Sequence, residues 1–214
     1  MKWHEEALDA AVLAAASRVA AATDDFYLAG GTALALRLGH RVSLDLDLFS
    51  ATNTLDADER KALLDALEAS GPLRIKGVKD GTCHLDLGGA PVSLFHYPYP
   101  MLRHSQSWRG LDVASLEDIA AMKLSAVLGR GSKKDFIDLY ELCRRPGLDR
   151  AMKAASRKFP LYADFPLQAA RALLYFEDAE KEPMPRMLDA TTWEDIKAYF
   201  ERAIPKYVKA HLQR

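Results

Sequence analysis

Apolar and polar positions divide this chain into a first half in which short apolar runs alternate with helices and a second half that is helical throughout. Leu8, Val12, Leu13 and Val19 form a one-sided stripe in an alanine-rich segment over 5–22, which predicts a helix packed on a sheet. Phe26-Tyr27-Leu28-Ala29 is a short apolar run that stops at Gly30-Gly31, the pattern of a buried strand meeting a tight turn. Thr32 is the expected N-cap of a helix over Ala33–Leu38, which Gly39 closes. From Arg41 the pattern alternates: Arg41, Ser43, Asp45 and Asp47 on one face of an expected strand, Val42, Leu44, Leu46 and Leu48 on the other.

An amphipathic helix with acidic residues in its first turn follows over Asp56–Ala69, stopped by Ser70-Gly71-Pro72. Leu73–Val78 and Thr82–Leu87 read as strands joined by a Lys79-Asp80-Gly81 turn, and Pro91–Tyr97 as another strand ended by Pro98-Tyr99-Pro100. Five strands with helices before and between them predict an α/β fold with a mixed sheet. From Ser115 onward the pattern is helical: Ser115–Leu128, a break at Gly129-Arg130-Gly131-Ser132, Lys133–Cys143, and further helices near 148–158, 165–180 and 191–212. The expected division is an α/β domain over 1–112 and a helical C-terminal domain over 113–214.

Composition narrows the class. The chain has 214 residues, 49% hydrophobic and 28% charged, with a formal net charge of −1, so it lacks the global basic field of a general nucleic-acid binder. A nucleic-acid partner would need a local patch; Arg144-Arg145 and Lys206, Lys209 and Arg214 read as solvated faces first. Cys83 and Cys143 show no C-x-x-C spacing, which argues against a zinc site or disulfide framework. No apolar run reaches the roughly 18 residues a membrane span requires, and the polar, acidic start Met1-Lys-Trp-His-Glu-Glu is unlike a signal peptide, so a cytoplasmic location is expected.

The candidate chemistry lies in 26–50. A strand, two glycines and a helix N-terminus present backbone N–H groups to an anion, and glycine lets the backbone approach a phosphate closely. On an adjoining strand Asp45 and Asp47 would project together, with Cα atoms roughly 6.5–7 Å apart. Magnesium takes hard oxygen ligands and bridges one or two carboxylates to substrate phosphates. The plainer reading makes Asp45 and Asp47 the wet face of a half-exposed strand, although Asp is depleted in strands. His84, His96 and His104 lack metal-ligand spacing.

Gly30-Gly31-Thr32-Ala33-Leu34, followed by His40-Arg41-Val42-Ser43-Leu44-Asp45-Leu46-Asp47-Leu48-Phe49, resembles the nucleotidyltransferase signature of the AbiEii/AbiGii toxin family, within the DNA polymerase β-like nucleotidyltransferase superfamily. Lys123-Leu-Ser-Ala-Val-Leu-Gly-Arg130 and Lys134-Asp-Phe-Ile-Asp-Leu139 are similar to that family's downstream motifs, so the resemblance spans about residues 10–145. It implies a nucleotidyltransferase-like mixed sheet flanked by helices and followed by a helical bundle. It also implies Mg²⁺- or Mn²⁺-dependent transfer of an NMP from an NTP to an RNA, with tRNA among the candidates, or to a protein hydroxyl. The setting is a toxin–antitoxin system with an antitoxin partner. Carried over by position, Gly30, Gly31 and Thr32 would bind the nucleotide, Arg41 and Ser43 would touch the triphosphate, and Asp45 and Asp47 would hold metal. Lys123 would contact phosphate and Asp138 would act as, or position, a base.

Residues 15 apart in one helix lie roughly 22 Å from each other, so Lys123 and Asp138 can meet only if the chain folds back at Gly129–Ser132. The bland alternative leaves Lys123 snorkelling and Asp135 and Asp138 as surface acids paired with Lys134 or Arg144. One departure stands out. The superfamily usually carries a third carboxylate on a later strand, whereas Pro91–Tyr97 offers Ser93. Asp86, Asp138 or no residue then completes the set, and a nucleotide-binding partner without catalysis becomes the alternative reading.

Overall fold

The computed structural model describes residues 2–144 and 146–211; Arg145 and Arg214 lie outside them. The chain divides into two compact units, Met1–Ser115 and Leu116–Arg214. The expected boundary at 112/113 falls inside the last strand of the first unit.

The first unit begins with a 3₁₀ turn, Glu5–Ala7, and then α1 (Ala10–Ala22), capped by the Asp9 carboxylate on the Val12 N–H at 2.8 Å. There follow β1 (Tyr27–Ala29), α2 (Gly30–Leu38), β2 (Leu46–Ser50), α3 (Ala57–Ala69), β3 (Arg74–Lys79), β4 (Thr82–Leu87), β5 (Ala90–His96), β6 (Gln106–Trp108) and β7 (Leu111–Val113). Together the strands form one seven-stranded sheet in the order β3-β4-β5-β2-β1-β7-β6. It is mixed, as expected: β2 runs antiparallel to β1 and parallel to β5, and β7 runs parallel to β1.

One sheet face is core. Leu46, Leu48, Cys83, Leu85, Val92 and Leu94 are all buried. Each apolar side chain of Leu or Val size buried there is worth about 1.5–3 kcal/mol. α1 packs against α3, β5 and β7, and its buried side chains include Ala15 and Ala16, small enough for close approach. α3 carries a capping box formed by Asp56 and Glu59, beyond the first-turn acids the sequence showed. At its other end the Arg18 guanidinium donates to the carbonyls of Leu67, Gly71 and Pro72, satisfying acceptors that a helix end leaves open.

β6 and β7 lie where the sequence reading placed no element. Each is three residues long, too short to show a period, and they join through Arg109 (φ 51°) and Gly110 (φ 85°), a tight turn with both residues left-handed. Arg37 anchors β7, donating to Ala114 O at 2.9 Å and Val113 O at 3.0 Å.

The second unit is helical: α4 (Leu116–Gly129), α5 (Lys133–Cys143), α6 (Leu148–Lys158), α7 (Phe165–Ala172), α8 (Glu177–Glu180) and α9 (Trp193–His211). The single helix expected over 165–180 is two. Between them the Phe176 ring turns toward Phe136 and Trp193, with centroids 5.3 and 6.0 Å away. That packing overrides the local helical preference. α4 packs against α5, α6 and α7.

Candidate active site

Gly30 is the pivot of the first unit's polar cluster. Its φ of +67° is a left-handed conformation that glycine adopts without strain, and it lets β1 pass directly into α2. The helix therefore starts at Gly30, three residues before the expected start, with Ala29 as N-cap and no side-chain cap on its first N–H groups. Antiparallel register sets Ala29 opposite Asp47. A Cβ on Gly30 would lie 3.1 Å from Asp47 Oδ2, so the missing side chain leaves a cradle between the helix start and the carboxylate.

Thr32 does not cap α2, as the sequence suggested; from inside the first turn it reaches across to Asp45. Its hydroxyl donates to the Asp45 carbonyl oxygen at 2.5 Å and lies 2.8 Å from Ser43 Oγ and 3.2 Å from Asp45 Oδ1. Ser43 donates to the same Oδ1 at 3.3 Å. Two hydroxyls thus orient one half-buried carboxylate.

The alternation expected over 41–48 holds only from Leu46. Between Arg41 and Asp45 the neighbour is not a sheet strand: Ser43 N–H donates to Ala7 O at 3.0 Å and Ser43 bridges Leu8. Arg41 and Ser43 are consequently buried and Leu44 is 59% exposed, the reverse of the expected faces. Arg41 donates to Val42 O at 3.1 Å.

Asp47 heads a row that continues through Ser93 on β5 to His84 on β4, with His84 Nδ1 3.1 Å from Ser93 Oγ. No second acid follows Asp47 in that row. Asp86 stands two residues further along β4, and its carboxylate accepts the Gly89 N–H at 2.9 Å, closing the β4–β5 turn. Among the described residues no three His, Cys, Asp or Glu side chains group as a metal site. Asp47, half-buried beside the Gly30 cradle, and half-buried Asp45 two residues before it offer the oxygen ligands that a hard divalent cation shared with substrate phosphates would take.

The second unit holds a different cluster. The Gly129–Ser132 break does turn α5 back along α4, and Lys123 Nζ meets Asp138 Oδ2 at 2.6 Å and Asp135 Oδ1 at 2.9 Å. Arg130 donates to both oxygens of Asp135, at 2.7 and 3.0 Å, and Ser132 adds a third donor at 2.8 Å. Both aspartates are fully buried and Lys123 nearly so; they are neither surface acids nor a snorkelling lysine. Burial alone would raise the Asp135 pKa, but Lys123 and Arg130 outweigh it and bring it down from 3.8 to about 2. Lys158 and Asp118, 2.8 Å apart and both fully buried, form a further pair across α6 and α4 that the sequence reading missed.

Residues 11–99 and 73–214 match the family described as "Nucleotidyl transferase AbiEii toxin, Type IV TA system". The chain belongs to the AbiEii family. It is a nucleotidyltransferase, and the match continues into the C-terminal helices beyond the motifs that carried the resemblance. An uncharacterized protein of Aquifex aeolicus (strain VF5) is 36% identical over 193 residues, covering 87% of this chain and 89% of that one. Among solved structures, the MenT4 nucleotidyltransferase toxin of Mycobacterium tuberculosis H37Rv is similar with a TM-score of 0.57 at 13% identity, covering 90% of this chain and 82% of its own. JHP933 from Helicobacter pylori gives 0.54 at 18% identity, covering 94% and 93%. At such identities the two structures show a shared fold. Among the described residues of this AbiEii chain, no helix is long and apolar enough to cross a membrane.

Proposed function

We propose that the protein transfers an NMP from an NTP to an RNA end, with release of pyrophosphate, as the cytoplasmic toxin of a toxin–antitoxin pair. The observation that carries this reading is the register that sets Asp47 against the Gly30 cradle at the uncapped start of α2, with Asp45 clamped by Thr32 and Ser43. The N–H groups of the first α2 turn, which no side chain caps, suit an anion, so Gly30 and Gly31 would take the nucleotide phosphates. Asp45 and Asp47 would hold Mg²⁺ or Mn²⁺. When bound, that cation would neutralise phosphate charge and activate the attacking hydroxyl.

Thr32 and Ser43 serve the nucleotide through Asp45, whose carboxylate they orient, and buried Arg41 serves it by holding the 41–45 segment. Lys123 and Asp138 enter as a paired ammonium and carboxylate, the roles the family resemblance assigns to phosphate contact and proton handling. The family description, which names a type IV toxin–antitoxin system, supports an antitoxin as partner.

The test is transfer of label from α-phosphate-labelled NTPs to total RNA with Mg²⁺. The wild type should label RNA and Asp45→Asn should not. Labelling by Asp45→Asn at the wild-type rate would remove the carboxylate pair from the reaction.

A further inference from the structure

The sheet face that carries Asp47 bears an aromatic row for which phosphate transfer has no use. Cross-strand register aligns Tyr27, Phe49, Phe95, Thr82 and Lys79 across β1, β2, β5, β4 and β3. The adjoining row is Asp47, Ser93, His84 and Gly77. Alternate residues of a strand share a face, so Phe49 stands beside Asp47 and Phe95 beside Ser93. Phe49 and Phe95 stack at 5.1 Å; Tyr97 meets Phe49 edge-on at 5.4 Å, and His84 meets Phe95 edge-on at 5.8 Å. The leucines and valines of β2, β4 and β5 on the opposite face are buried, but Phe49, Phe95 and Tyr97 are only half-covered and His84 is exposed.

The two sides of Asp47 differ in charge and shape. Toward β1 lies the start of α2, suited to phosphate. Toward β5 and β4 lie the rings, and beyond them the sheet ends in a cationic edge. A bulge between Ile75 and Gly77 keeps Arg74, paired with Asp86, on the same face as Lys79, and both are exposed. A side chain at Gly77 would meet nothing within 4 Å, so the floor past His84 is open. Tyr27 stacks on Phe49 from its other side at 6.0 Å, so the row offers bases its outer rings and exposed edges. Aromatic rings for bases and flanking cations for the backbone are what an unpaired strand of nucleic acid requires.

We infer that Phe49, Phe95, Tyr97 and His84, with Lys79 and Arg74 at the edge, form the docking platform for an unpaired end of a single-stranded RNA acceptor. Its bases stack on the rings, and its phosphates lie on the two cations. This rests on the proposed transfer reaction only for the direction from which the acceptor approaches Asp47; RNA binding tests the platform by itself.

The experiment measures fluorescence anisotropy of a labelled single-stranded RNA with the full chain, in parallel with NTP affinity and with label transfer. Tyr97→Ala and Phe95→Ala should weaken RNA binding about 5- to 150-fold, the range for losing one stacked base. Tyr97→Trp and Phe95→Tyr, which keep a ring, should bind nearly as the wild type. Lys79→Glu should weaken binding and flatten its salt dependence by about 0.7 in log–log slope. A blunt RNA duplex should respond to none of the ring variants.

Failure of the wild type to bind the RNA would overturn the inference. So would wild-type binding by both alanine variants, or equal losses in the ring-keeping ones. A loss of NTP affinity with RNA affinity unchanged would assign the rings to the nucleotide and also overturn it. Weakened RNA binding in the alanine variants, in a protein that transfers no label, would sustain the platform and defeat the transfer reading instead.

Discussion

Asp45 and Asp47 in the sheet unit and Asp135 and Asp138 in the helical unit are two pairs of the same side chain, each near in sequence, in opposite surroundings. The first pair is half-buried at the end of a strand, and Asp45 is oriented by the hydroxyls of Thr32 and Ser43. The second pair is fully buried and neutralised by an ammonium and a guanidinium. A buried carboxylate is tolerated when its counter-charge is built in, and removing one partner leaves a charge without compensation. A half-exposed carboxylate oriented by neutral donors keeps its charge for a ligand. One pair keeps its charge open to a ligand, and the other has its counter-charge built in between the helices that carry it.

Substitutions that separate activity from stability break or sharpen this contrast. Asp47→Asn should lower kcat/KM for NMP transfer by about 1,000-fold, roughly 4 kcal/mol, because a metal-binding carboxylate acts on the transition state. Its melting temperature should stay near that of the wild type. Lys123→Ala should, unlike Asp47→Asn, cost about 3–5 kcal/mol of stability in urea denaturation, since two buried carboxylates lose their shared cation. If Lys123→Ala is instead as stable as the wild type, the buried cluster is not the structural staple described here.

The Asp135 pKa gives a third test, with a sign. Its folded value, about 2, lies below the ordinary aspartate value of 3.8, so its contribution is present above the unfolded value and is lost as pH falls through the folded one. The shift corresponds to about 2 kcal/mol. Circular dichroism should show stability falling between about pH 4 and 2, and Asp135→Asn should flatten that part of the profile. Gly30→Ala forces a side chain into a left-handed conformation at about 1–2 kcal/mol and places its Cβ against Asp47. It should cost modest stability and a larger share of activity.

What the sequence made legible follows physical lines. Long periodic elements were readable: α3 from its amphipathic pattern and first-turn acids, α5 from the glycine break before it, β4 from the turn that precedes it. The short β6 and β7 were not, since three residues carry no period. The reversal at Arg41–Asp45 was hidden because alternation shows that two faces differ and not what covers each; here the 3₁₀ segment, not a strand, is the neighbour. In the site, the break at Gly129–Ser132 allowed Lys123 and Asp138 to meet, and they do. Asp135 as a bridge to both Lys123 and Arg130, and the Lys158–Asp118 pair, had no such signal. Charged residues on helices read as surface by default, and only the folded chain shows them inside.

The central claim is that Asp45 and Asp47 together hold a divalent cation with the nucleotide. Mn²⁺ binding followed by electron paramagnetic resonance, with a non-transferable NTP analogue present, tests it most directly. The wild type should bind Mn²⁺ in a nucleotide-dependent manner, and Asp45→Asn and Asp47→Asn should each lose that binding while remaining folded. Undiminished Mn²⁺ binding by both variants would contradict the account.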